Sequence, residues 1–173
     1  MPKFKKLIIK KINMEEKKMS LVHCIFFVYN TFAQYTDGEF KQTEADTISF
    51  FMKRWLDNDE EILKKIVSET IDWTEKNVQN HQQAIEYMAS MVEFIKSNED
   101  FDIYKREHFL LDIRNIARAD GEFHETEKTW HDVVAKQLEL PIRISKSSIN
   151  EIDSQSRNLN KREPIGFKMS WQK

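Results

Sequence analysis

The strongest constraint on this chain is an eight-residue segment used twice, 83 positions apart: Asp37-Gly38-Glu39-Phe40-Lys41-Gln42-Thr43-Glu44 and Asp120-Gly121-Glu122-Phe123-His124-Glu125-Thr126-Glu127, identical at six of eight positions. An apolar helical pattern precedes each copy and another follows it, which is the signature of an internal structural repeat. Gly38 and Gly121 are two of only three glycines in the chain. A glycine just beyond a helical pattern supplies the positive φ that stops a helix without a Cβ clash, so the spacing predicts helices ending near Thr36 and Ala119. Phe40 and Phe123 stand just before the next helix, where an apolar side chain clamps the entry angle. Glu44 and Glu127 fall in its first turn, where a carboxylate favours the exposed N–H groups. Each copy reads as a helix-turn-helix joint.

Helices dominate the expected fold. Forty per cent apolar residues with 12 phenylalanines and four tryptophans supply core material, and three glycines with three prolines are too few for an all-β chain. At 173 residues one domain buries a core without disulfides or metals. Leu21, Val22, Ile25, Phe26, Val28, Tyr29, Phe32 and Ala33 form one helical stripe, which predicts a central first helix. Ile48, Phe51, Met52, Trp55 and Leu56 form the next. Asp57-Asn58-Asp59 then breaks the pattern, with Asn58 and Glu61 marking a helix start. Ile62, Leu63, Ile66, Val67 and Ile71 predict the core face of a third helix, and Ile85, Met88, Val92 and Ile95 that of a fourth, with a break near Asn77 and Trp73 in the core. Ser97-Asn98-Glu99-Asp100 closes it. Ile103, Leu110, Ile113, Ile116 and Ala117, then Trp130, Val133, Val134 and Leu138, repeat the pattern around the second joint. The expectation is an all-α, single domain of about six main helices with an internal two-fold pseudo-repeat. It spans residues 19–140, between a basic amphipathic arm (1–18) and a polar, basic tail (141–173).

Charge separates these parts. The net charge is −2 overall, but residues 1–18 carry +5 and residues 141–173 carry +4, which leaves −11 on the body between them. Phosphate binding needs clustered Lys and Arg, so an acidic body excludes nucleic acid there and favours cations or a basic protein partner. Phe4, Leu7, Ile8 and Ile12 line one face of the arm among lysines, which suits docking on the acidic body better than a weak peripheral membrane contact. The longest apolar run, Cys24 to Tyr29, is far short of the roughly 20 residues of a membrane span, and no signal peptide is legible. Cys24 has no disulfide partner and reads as a small buried hydrophobe in a reducing, cytoplasmic setting.

Gly-rich phosphate loops, Cys-x-x-Cys, Gly-x-Ser-x-Gly and His-Glu-x-x-His are all missing from the sequence, so an enzyme is not expected and no organic cofactor is implied. His124, Glu127 and His131 share one helical face and offer a zinc or nickel set, although surface histidines at this spacing are common and the first copy has Lys41 and Ile48 in the matching places. The acids of the joints form the better candidate site: Asp37, Glu39 and Glu44, with Asp120, Glu122 and Glu127. Calcium takes 6–8 oxygen ligands, and one joint supplies three carboxylates and turn carbonyls, so the second joint or water must complete a site. The other role open to these acids is helix capping alone.

The run Ile116-Ala117-Arg118-Ala119-Asp120-Gly121-Glu122-Phe123 resembles the TerB-like tellurite-resistance family, in which an apolar helix runs into Ala-Asp-Gly-Glu, an apolar residue and an acidic helix start. Phe32 to Phe40 is the looser copy, with Thr36 in the alanine place, and Lys41 and His124 stand where the family often has Ser, Asp or Pro. The resemblance covers roughly residues 20 to 140. It implies a helical, non-enzymatic, bacterial stress-response protein of the tellurite-resistance type.

Overall fold

Leu21–Tyr35 contains no glycine, proline, carboxylate, lysine or arginine, so nothing in it demands a surface, and it forms the central helix α1. Its Ile, Val, Phe and Tyr residues are mediocre helix formers, and burial rather than propensity stabilises it. Val22, Ile25, Val28, Tyr29, Phe32 and Ala33 are fully buried. The structure is a computed structural model that describes residues 19–35, 40–121 and 123–141. The N-terminal arm and the tail from residue 142 lie outside these residues, and so do Asp37, Gly38, Glu39 and Glu122.

Five further helices follow: α2 (Gln42–Trp55), α3 (Glu60–Asn77), α4 (His81–Ser97), α5 (Ile103–Ala117) and α6 (Glu125–Gln137). Among the described residues there are six helices and no strand, the all-α architecture expected from composition. Helix α1 packs against α2, α3, α4 and α5, while α6 covers α4 and α5. Short polar side chains start the helices. Asp59 accepts from Glu61 N and Ile62 N, Asn80 from Gln83 N, and Asp102 from Lys105 N, each satisfying a donor that the first turn leaves orphaned.

Several details differ from the sequence reading. The cap of α3 is Asp59 and not Asn58, because Asp57 (φ 51°) and Asn58 (φ 63°) are both used in the left-handed turn that leaves α2, a conformation these two side chains tolerate best after glycine. Ile62 and Ile71 are exposed, and α3 buries Leu63, Ile66 and Thr70. Helix α3 is a peripheral helix, so its core stripe is narrower than its apolar content suggests, and the Thr70 hydroxyl is satisfied inside by Ile66 O at 2.7 Å. Trp73 is partly buried, edge-on to Phe27 at 5.7 Å and to Tyr87 at 5.0 Å. Ile103 is exposed at the start of α5, and Val133 is exposed on α6. Cys24 is buried, as expected.

Helix α5 departs most from a simple stripe. His108, Phe109, Leu110, Leu111, Asp112, Ile113 and Arg114 are consecutive and all buried, so its polar residues must be satisfied inside the protein. Asp112 is fully buried. Its Oδ2 accepts from the Tyr29 hydroxyl at 2.6 Å and from Trp55 Nε1 at 3.0 Å, and its Oδ1 accepts from Arg54. The Arg54 guanidinium also lies over the Phe51 ring at 5.1 Å. One carboxylate therefore joins α1, α2 and α5 through three side chains. Burial pushes the Asp112 carboxyl up against the pull of Arg54, and burial together with the Asp112 charge pushes the Tyr29 phenol well above its ordinary range. At the far end of α5, Arg106 binds Lys96 O at 3.1 Å, Phe101 O at 3.3 Å and Leu138 O at 3.4 Å, tying the ends of α4 and α6 to α5.

Asp112→Ala removes the acceptor that the Tyr29 hydroxyl and the Arg54 guanidinium share, leaving Trp55 Nε1 with the Tyr29 oxygen at 3.0 Å, and should destabilise by about 3 kcal/mol in urea titration. Tyr29→Phe should cost about 1 kcal/mol. The pH dependence has a defined sign. The folded protein holds the Asp112 proton more tightly than the unfolded chain, whose aspartates titrate near about 3.9. The favourable contribution is thus complete below that pH and lost as pH rises through the folded-state value. The stability of the parent relative to Asp112→Asn should fall as pH is raised from about 4 towards neutrality.

Candidate functional site: the paired acidic joints

The second joint is described except for Glu122. Helix α5 ends at Ala117, and the chain does not reverse at once. Ala119 N bonds to Ile116 O at 3.1 Å, and Gly121 N to Arg118 O at 3.0 Å, so a tight turn intervenes between the helix and the glycine. Gly121 has φ 93°, the positive value predicted for it, but it acts one turn later than a helix-ending residue. A Cβ there would meet nothing within 4 Å, so the demand for glycine is conformational alone.

Both joints start their following helix in the same way. Glu44 Oε2 accepts from Lys41 N at 2.8 Å, and Glu127 Oε2 accepts from His124 N at 2.8 Å. These are capping-box bonds from the third helical residue back to the cap. Both carboxylates are inside, Glu44 at 3% and Glu127 at 1% exposure. From there the buried positions of α2 and α6 keep the 83-residue offset: Ile48 with His131, Phe51 with Val134, Met52 with Ala135, and Trp55 with Leu138. The two phenylalanines diverge. Phe123 packs against the core, while Phe40 is 46% exposed.

The joints meet. Lys41 Nζ of the first lies 2.6 Å from Asp120 Oδ2 of the second, and His124 Nε2 is 4.0 Å from the same oxygen. The departure of Lys41 from the family pattern therefore links the two copies, a role the sequence alone does not disclose. Behind the second joint, Arg114 is 1% exposed. Its Nε and one terminal nitrogen approach His131 Nε2 at 3.3 and 3.2 Å, and its Nη1 has no partner among the described residues. A guanidinium only donates, so His131 Nε2 accepts and Nδ1–H faces Asp132 Oδ1 at 3.0 Å. Burial, and then Arg118, draws the Arg114 pKa down to about 10. His131 thus has both nitrogens engaged and is fully buried, and His124, Glu127 and His131 do not form an open zinc set. Among the described residues no three His, Cys, Asp or Glu side chains converge as metal ligands. Asp37, Glu39 and Glu122 lie outside them.

Truncating Glu44 or Glu127 to alanine should cost about 1 kcal/mol each by removing the cap, and glutamine at either position should recover most of it, because an amide oxygen also accepts. Gly121→Ala should cost about 1 kcal/mol or more. Thermal or urea unfolding of the single variants reads all three.

Comparison with known proteins agrees with the architecture and the motif. No curated protein and no solved structure matches the chain significantly. One family does match, described as tellurite resistance protein TerB, over residues 31–147. That segment holds both joints, the five helices after α1 and the end of α1 itself, so the chain belongs to the TerB family.

Proposed function

We propose that this protein is a non-enzymatic member of the tellurite-resistance type that binds a divalent cation, calcium by preference, along the edge where its two joints meet. The observation that carries this reading is the 2.6 Å approach of Lys41 to Asp120, which brings the start of α2 beside the turn that carries Asp120. One turn offers too few oxygens for calcium, and two neighbouring turns offer enough. Asp37, Glu39, Asp120 and Glu122 are the proposed ligands. Glu44 and Glu127 set their spacing through the helix starts they cap. Carboxylates that share a site repel one another, and a bound cation would relieve that repulsion.

A second reading is supported by Phe40, whose exposed ring stands beside Lys41 at the same edge. In that reading the acidic surface docks a basic protein partner, with the ring as its apolar anchor and no metal involved.

Calcium, manganese and zinc titrations monitored by melting separate the two. A ligand that binds only the native state stabilises it by RT ln(1 + [L]/Kd), so calcium at about 100 times Kd should add roughly 2.7 kcal/mol. Asp37→Asn with Glu122→Gln should remove most of this gain, and both changes keep Lys41 and Asp120 in place. Unchanged melting curves with all three cations would sink the metal reading and leave the partner reading, for which Phe40→Ala should weaken binding of a lysine-rich peptide.

A further inference from the structure

The start of α1 carries an arrangement that the acidic joints do not use. Ser20 occupies the cap position, with its carbonyl accepting from Cys24 N at 3.1 Å. The residue three along is His23, and its imidazole reaches back. Nδ1 lies 3.0 Å from Ser20 N and 2.8 Å from Ser20 Oγ, while Nε2 lies 2.8 Å from Glu69 Oε2 on α3. The imidazole is buried and the Glu69 side chain is 45% exposed. A backbone N–H can only donate, so Nδ1 is bare and the ring proton sits on Nε2, facing the carboxylate. His23 fills the place that Glu44 and Glu127 fill in the other capping boxes, but unlike a carboxylate it loses its acceptor on protonation.

We propose that His23 is a proton-operated latch on the entry of α1, exchanging a helix cap for an ion pair. When Nδ1 gains a proton, two donors face each other across 3.0 Å. The Ser20 hydroxyl can turn to accept, but the Ser20 N–H is left without an acceptor and the cap opens. At the other ring nitrogen the same proton has the opposite effect, because the Nε2–H bond to Glu69 becomes a charged pair and tightens α1 against α3. Acidification therefore loosens Ser20 at the entry of α1 while keeping the helix docked.

The charged surroundings are few. Glu69 is the one ion-pair partner of His23 among the described residues, and Lys65 stands behind it, 4.0 Å from its other oxygen. The residues that α4 buries are all apolar. On α2, Glu44 caps its own helix, and on α5, Asp112 is held by Tyr29, Trp55 and Arg54.

Nitrogen-15 NMR of the imidazole and amide exchange, both on the full chain between pH 8 and 5, test this. At pH 8 the ring should show the Nε2–H tautomer. On acidification the Ser20 amide, corrected for intrinsic exchange, should lose about tenfold in protection, in step with protonation of His23, while amides in the middle of α1 keep theirs. In His23→Gln the Ser20 protection should no longer depend on pH. An Nδ1–H tautomer at pH 8, or Ser20 protection that does not follow His23, overturns the proposal. Both signals are read in the parent protein, so the test decides even where the variant folds poorly.

Discussion

The Asp112 carboxylate is the constraint on which the rest of the core depends. It is fully buried, and three donors from two other helices, the Tyr29 hydroxyl, the Trp55 indole and the Arg54 guanidinium, close on it. An apolar core tolerates sliding of one helix past another, since any well-filled arrangement has nearly the same energy. A buried charge with three specific partners does not, because each misplaced donor costs its desolvation without return. The network fixes the mutual rotation of α1, α2 and α5, and aromatic packing completes it, with Tyr29 stacked on Phe109 at 5.3 Å and Trp55 on Phe101 at 5.6 Å. Tyr29 and Asp112 are also 83 residues apart, the offset of the repeat itself.

Around this centre the carboxylates of the chain divide into two kinds. Glu44 and Glu127 are structural, buried and spent on the N–H groups of their helix caps. Asp120 is drawn to the ammonium of the opposite joint. This division bears on the proposed cation site, since an acid already committed to a backbone donor contributes spacing and an acid at the turn contributes charge. Arg114, one turn before the second joint, keeps a buried positive charge hydrogen-bonded to His131.

The membership of the TerB family rests on a match that runs through both joints, and the architecture gives that match physical content. At the second joint the motif leaves one helix through the positive-φ turn at Gly121 and enters the next with its cap supplied by Glu127. No helix among the described residues is long and apolar enough to cross a membrane.

Sequence alone determined the elements. The helical content, the two joints, the stripes of α1 and α2 and the equivalence of Glu44 with Glu127 were legible because period, glycine placement and capping are local effects that act within about four residues. What it misjudged were positions whose burial depends on a neighbour: Ile62 and Ile71 match a helical stripe yet are exposed because α3 is peripheral and covered on one narrow side, and Ile103, in the first turn of α5, and Val133 on α6 are exposed as well. Asp112, Arg114 and His131 look like surface residues by type and are interior. Only tertiary structure could decide this, since a polar group is buried when partners from distant segments satisfy it, and Tyr29, Trp55 and Arg54 lie 83, 57 and 58 residues from Asp112. The meeting of Lys41 with Asp120 across 79 residues is of the same kind. Local chemistry set the joints, and long-range packing placed them against each other.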